Sequence, residues 1–354
     1  MATTERGRVL ELQGIAAERG RQHGEMLRHE VQAALCRFLD DATVRMGRPA
    51  ERYVERFLAE TRFTAAIRTH TPDLLEELHG IAEGAAVPFA HVLAYNLLDE
   101  EWWYSETLRS KCSALAVAAR DDRPGLVAQT MDLPVSMDGG QVLLRHRDPA
   151  GREVAVLSSA GLIGLTGAAS DGLGVCVNAL GMLNHDAHGL PVACVLRGAL
   201  ERSSAREAAD FIASVPHASG QHYAVVDAGG DAFGLEASAG GAVTSAGGRD
   251  RFFHANHPLA SRDVDPAVTR DLEQVESSRR RQATLEVHGV HVSSRAGARE
   301  LLGDRSAPIC VSRADRGAWV TFGAVVTELG DTVTMDVALG PPDATPWVEV
   351  ELGR

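Results

Sequence analysis

Lys111-Cys112-Ser113-Ala114-Leu115-Ala116-Val117-Ala118-Ala119 runs into Arg120-Asp121-Asp122-Arg123-Pro124-Gly125, and then into Leu126-Val127-Ala128-Gln129-Thr130-Met131-Asp132-Leu133. Two apolar stretches on either side of a charged Pro-Gly turn predict a β-hairpin. The hairpin also marks a change in the chain. Upstream, Met26, Leu27, Val31, Ala34, Leu35 and Leu39 recur at three- and four-residue steps, the period of one helix face. A second helix is predicted over Arg52–Arg68. A third should start after Thr71, with Thr71 as its cap and Pro72 in its first turn, and a fourth near Pro88.

Downstream, strands are predicted at Gln141–Arg147, Glu153–Leu157, Tyr223–Val226, Ala232–Glu236, Trp319–Glu328, Thr332–Leu339 and Trp347–Glu351. Helical spacing returns at Pro191–Val215, Val268–Val287 and Ala296–Leu302. Helices, strands, helices, strands without βαβ alternation read as an α+β fold with mainly antiparallel sheets. The one plausible internal boundary lies at residues 105–112, where no Pro/Gly/Ser linker occurs.

Composition narrows the function classes. The 354 residues carry a net charge of −13, with 45% apolar and 23% charged side chains. That is ordinary globular usage, and neither half of the chain is a basic footprint for nucleic acid. Five cysteines, Cys36, Cys112, Cys176, Cys194 and Cys310, are widely spaced without a C-x-x-C pair, which argues against disulfide frameworks and zinc ribbons. No apolar leader or membrane-length apolar run is present, so no membrane partner and a cytoplasmic location are expected. Lys111 is the sole lysine among 35 basic residues.

Cys112 stands at the start of the hairpin, with Lys111 directly before it and Arg109 two residues before that. Cations around a cysteine should lower its thiol pKa and favour the nucleophilic thiolate; the plain alternative is a small buried residue. Twenty residues later Asp132 places a carboxylate at the end of the partner strand, and Phe253-His254-Ala255-Asn256-His257 sets polar side chains in a loop. A rival site is Asn184-His185-Asp186-Ala187-His188, where His185, Asp186 and His188 could hold a metal for a hydrolytic reaction. Trp103, in Trp102-Trp103-Tyr104, could line a pocket, and Arg313 could clamp a carboxylate.

Cys112-Ser113, Gln129-x-x-Asp132, Gly161-Leu-Ile-Gly164, Gly172-Leu-Gly-Val-Cys-Val-Asn178 and His254-x-Asn256-His257 together resemble the penicillin acyltransferase family, peptidase family C45, of N-terminal-nucleophile (Ntn) hydrolases. Leu10-Glu-Leu-Gln-Gly14, Gly20-Arg-Gln-His-Gly24, Ile309-Cys310 with Arg313, and Gly340-Pro-Pro extend the resemblance along the chain. The resemblance implies a four-layer αββα sandwich made as a precursor. Cleavage between Lys111 and Cys112 would give a mostly helical segment, residues 1–111, and a core, residues 112–354, that associate as an α/β heterodimer.

In this family's terms Cys112 is the nucleophile, its freed α-amine the base, Asp132 the charge partner of that amine, and Asn256 an oxyanion donor. Arg313, Trp103 and His254 are the candidate substrate contacts. No cofactor is implied; the partners would be a small-molecule amide or acyl donor and an amine acceptor. Lys111 departs from the small or acidic residue common before the nucleophile. A catalytically silent member of the fold is therefore the other alternative to a metal-dependent hydrolase.

Overall fold

The computed structural model describes residues 8–105, 111–248, 250–266, 272–306 and 308–353. The chain opens with β1 (Val9–Gln13), followed by α1 (Ala16–Met26), α2 (Arg28–Met46), α3 (Ala50–Glu60), α4 (Phe63–His70), α5 (Pro72–Ala85), α6 (Phe89–Tyr95) and α7 (Leu98–Tyr104). Strands then dominate: β2 (Lys111–Val117), β3 (Gly125–Pro134), β4 (Gln141–Arg147), β5 (Glu153–Ser159), β6 (Thr166–Ala169) and β7 (Leu173–Ala179). After α8 (Val192–Leu200) and α9 (Ala205–Ser214) come β8 (Gln221–Asp227), β9 (Ala232–Ser238), β10 (Gly241–Gly247) and β11 (Arg251–His254). The chain ends with α10 (Leu272–His288), α11 (Arg295–Gly303), β12 (Trp319–Leu329), β13 (Val333–Ala338) and β14 (Trp347–Leu352).

The strands form two sheets, an eight-stranded one in the order β1-β4-β5-β6-β7-β8-β9-β10 and a six-stranded one in the order β11-β2-β3-β12-β13-β14. They pack face to face. Side-chain alternation along β2 shows how: Ala114 and Ala116 enter the core between the sheets with Val127, Leu157, Cys176, Ala224 and Val325, while Leu115 and Val117 face α10 and α11 with Leu285 and Leu302. The outer face of the larger sheet is covered by α8, α9 and the N-terminal helices, which share one apolar cluster with it. The fold is mixed α+β with N-terminal helices and two sheets, and every side chain fully buried in these layers contributes roughly 1.5–3 kcal/mol when it is Leu, Val or Phe.

Several sequence-based expectations change in detail. β1 pairs in parallel with β4, whereas the other ladders between the named strands are antiparallel among the described residues. The helix expected over Arg52–Arg68 is two helices. Thr61 is extended and buried between them, and the Arg62 N–H donates instead to Ala187 O at 2.7 Å. Thr71 makes no side-chain cap; its hydroxyl donates backwards to Ile67 O at 3.5 Å. The first helical stretch is broken at Leu27 into α1 and α2. The exposed edge strand β10 and the short β11 gave no alternating apolar signal and were not expected as strands.

α1 and α5 cross with their backbones almost touching. A Cβ at Gly20 would sit 2.0 Å from Glu77 O, and one at Gly84 would sit 2.2 Å from Arg21 O. Only glycine fits at this crossing. That gives a packing reason for the Gly20-x-x-x-Gly24 and Gly80-x-x-x-Gly84 spacing.

Candidate active site

Cys112 and Asp132 meet at the open end of the β2–β3 hairpin, whose register places Lys111 opposite Asp132 and Cys112 opposite Met131. The pleat therefore sends the two functional side chains to opposite faces of the sheet. Cys112, 3% exposed, points inward to a pocket of about 550 Å³ lined by Tyr95, Asp99, Met131, Leu162, Leu196 and Gln221 among others. Asp132, 1% exposed, lies on the helix-facing side, where the Thr321 hydroxyl donates to it at 2.6 Å.

The backbone of Cys112 is held on both sides. Its N–H donates to Asn256 Oδ1 at 2.7 Å, and its carbonyl accepts from Arg281, which also donates to Asn256 Oδ1 at 2.9 Å and Ser113 Oγ at 3.2 Å. Asn256 spends its amide Nδ2 on Ala179 O at 2.9 Å, at the pocket edge. The Asn256 loop is pinned in turn. Ser278 Oγ accepts from Asn256 N at 2.8 Å, and buried Glu236 accepts from His254 and from the N–H groups of Leu259 and Ser261.

Arg281 was not singled out in the sequence, where it is the third of three consecutive arginines. The signal is helical phase. Ser278, Arg281, Gln282 and Leu285 share the buried face of α10, whereas Arg279 and Arg280 are exposed. An arginine on the same stripe as Leu285 has to have a partner inside.

The electrostatics reverse one expectation. Of the two cations expected to lower the Cys112 thiol, Lys111 places its ammonium 5.8 Å from the centre of the Trp319 ring, and Arg109 lies outside the described residues. Burial pushes the thiol well up, the carboxylates of Asp132 and Asp99 push it further, and Arg281 offsets only part. A neutral thiol needs a base before it can attack. Burial likewise raises Asp132 to about 6, against the pull of Thr321, Arg281 and Lys111.

The other candidates lie apart from this pocket. His254 is 1% exposed and bonded to Glu236 Oε1 at 2.9 Å and to Ala255 O. Arg313 forms a bidentate pair with Asp138 at 2.7 and 2.8 Å, and Trp103 stacks on His185 with ring centres 5.0 Å apart. None of the three is among the pocket-lining residues. Asp186 bonds the neighbouring His188 ring at 3.0 Å. Among the described residues no three His, Cys, Asp or Glu side chains are gathered closely enough to hold a metal ion. Nor is any described helix long and apolar enough to cross a membrane.

With this geometry in place, three comparisons bear on the chain. Residues 118–334 match the family model described as acyl-coenzyme A:6-aminopenicillanic acid acyl-transferase. The chain is 25% identical to the 40 kDa form of acyl-coenzyme A:6-aminopenicillanic-acid-acyltransferase of Emericella nidulans, over 94% of this chain and 92% of that protein. Among solved structures, a mutant conjugated bile acid hydrolase from Clostridium perfringens matches at 11% identity, TM-score 0.44, over 68% of this chain and 92% of that one. Penicillin V acylase from Agrobacterium tumefaciens matches at 12% identity, TM-score 0.42, over 68% of this chain and 86% of that one.

Proposed function

The chain belongs to the acyl-coenzyme A:6-aminopenicillanic acid acyl-transferase family, and from that membership we propose a self-processing cysteine hydrolase or acyltransferase of the Ntn type, with an αββα sandwich, acting through Cys112. The observation that carries the reading is the position of Cys112. Its thiol lines an apolar pocket while its own N–H and C=O are gripped by Asn256 and Arg281.

Processing would begin with attack of Cys112 Sγ on the Lys111 carbonyl carbon. The C–N bond breaks, the thiol proton passes to the departing nitrogen, and Lys111 is left as a thioester on Cys112. That shift frees the α-amine of Cys112, and water then adds to the thioester, giving a Lys111 carboxylate and a free thiol. The product chains are residues 1–111 and 112–354. The Lys111 side chain, turned toward Trp319, does not enter this step, since the broken bond is backbone.

The freed amine has a reference pKa of about 7.7–8.0 and lies on the same residue as the thiol. It can take the thiol proton that burial otherwise holds in place, and Asp132 balances the resulting ammonium. An oxyanion on the substrate carbonyl would draw Asn256 Nδ2 away from Ala179 O, with the Ala179 backbone N–H as the second donor. The acyl-enzyme is then resolved by water or by an amine. The relative's name points to a coenzyme A thioester as acyl donor. A net charge of −13 does nothing to attract so acidic a donor, and hydrolysis of a small amide is the favoured variant.

Intact-mass analysis tests the reading. The wild type should yield a fragment beginning at Cys112, and Cys112→Ala should remain one chain. A wild type that stays a single 354-residue species and takes up no acyl group on Cys112 would leave only the silent alternative.

A further inference from the structure

α7 begins with three consecutive acids, Asp99-Glu100-Glu101, and the fold treats each differently. Glu101 is fully buried and accepts from Arg45 at 3.0 and 3.1 Å, the ion pair that a buried carboxylate ordinarily requires. Glu100 is equally buried without a cation. One of its oxygens accepts from Val192 N at 2.9 Å and Ser219 Oγ at 2.7 Å, and the other has no partner. Asp99 lines the same pocket as Cys112; Gln221 Nε2 donates to it at 2.8 Å, and no Lys, Arg or His among the described residues pairs with it.

Gln221 sharpens the picture. It is 1% exposed and lines the pocket, and its carbonyl Oε1 is buried without a hydrogen-bond donor. Behind it the Tyr223 hydroxyl is buried and unpartnered as well. One end of an otherwise apolar pocket therefore carries a half-buried carboxylate that accepts from Gln221 Nε2 and has no cation among the described residues, beside an amide oxygen with no donor. Leaving a buried acceptor such as Gln221 Oε1 unpaired costs about 1–3 kcal/mol. Among the described residues no basic side chain lines the pocket to pair with an anionic ligand group.

We propose that this end of the pocket is an ammonium subsite: the substrate of Cys112 carries a protonated primary amine, joined to the reacting carbonyl by a short apolar chain, and Asp99 with Gln221 Oε1 binds that amine. The inference rests on the reading of Cys112 as the acyl-accepting nucleophile, and it names the substrate class that reading leaves open. A cation at Asp99 supplies the charge that burial withholds from this carboxylate and from neighbouring Glu100, both of which are raised, Glu100 to about 7. The Asp99 charge already acts on the Cys112 thiol, so an amine bound there also relieves one of the groups holding that thiol protonated. Leu98, Met131, Leu133, Leu162 and Val177 are available to wrap the connecting chain.

Turnover of ω-aminoacyl nitroanilides of increasing chain length, set against alkyl isosteres with CH3 in place of NH3+, tests the proposal. At one chain length the wild type should favour the aminoacyl probe by about tenfold or more in kcat/KM, and Asp99→Asn should collapse that ratio toward unity. A ratio at or below unity at every length, or a ratio unchanged in Asp99→Asn, overturns it. Calorimetry on Cys112→Ala with primary alkylammonium ions against alcohols of the same length needs neither turnover nor a folded Asp99 variant. Tighter binding of the ammonium supports the subsite, and equal or absent binding sinks it. Ammonium preference with no acyl adduct on Cys112 would keep the subsite and reject the acyl-transfer reading. Alkyl turnover without amine preference would do the reverse.

Discussion

Glu77 and Glu100 are buried carboxylates from the same helical front of the chain, yet they sit in opposite electrostatic settings. Glu77 on α5 accepts both guanidinium nitrogens of Arg197 at 2.8 and 2.9 Å, has Arg19 at 3.6 Å, and is held down to about 2 despite its burial. Glu100 on α7 has no such partner and rises to about 7. The first arrangement uses two arginines to neutralise one charge and so ties α5 to α1 and α8. The second leaves two adjacent acids uncompensated beside a nucleophile. Charge that the fold neutralises is serving structure, and charge left open at a pocket is available to a ligand.

Four substitutions or titrations would break or sharpen this contrast. Cys112→Ala should have the largest effect, abolishing both the break at Lys111–Cys112 and turnover while leaving the denaturation midpoint near that of the uncleaved protein; intact mass and urea melts read the two together. Glu77→Ala should follow, costing about 3–5 kcal/mol in chemical denaturation because Arg197 would keep an unpaired charge in the core. Asn256→Ala should lower kcat by roughly 10²–10³, about 2.7–4 kcal/mol, in steady-state assays with processed enzyme.

The smallest effect is a pH dependence. Burial and the neighbouring Asp99 raise Glu100 from the ordinary 4.5 of a glutamate to about 7, so the folded state holds this proton longer than the unfolded chain. Its contribution to stability is therefore greatest at low pH and is lost as pH rises through that window, by up to about 3 kcal/mol. Glu100→Gln should flatten that part of the stability profile between about pH 4.5 and pH 7 in urea melts.

The hairpin was legible because its signals are local: small apolar residues, a charged Pro-Gly turn, and alternation that resumes beyond it. The same holds for β12, which is largely apolar, and for β13 and β14, where apolar and polar residues alternate. Cys112, Asp132 and Asn256 could be named in advance, but not what surrounds them. Arg281 comes from a helix 169 residues after Cys112, and its inward direction is a matter of helical phase that a run of three arginines conceals. The thiol was expected among cations because Lys111 and Arg109 are near in sequence. In three dimensions the pleat turns Lys111 away, and burial decides instead. Asp99 was not singled out in the sequence, since nothing local tells a charge run inside a fold from one outside it.

The tight crossing of α1 and α5 has a bearing on what a chain break would mean. The front segment supplies an edge strand paired to β4, a helix pair interlocked through glycines, and the carboxylate that holds Arg197 of the rear segment. Severing the backbone after Lys111 would release no diffusible fragment. It would convert contacts within one molecule into a subunit interface as dry as a protein core, so the two products should survive dilution together, unfold together, and reassemble at a rate set by their concentration.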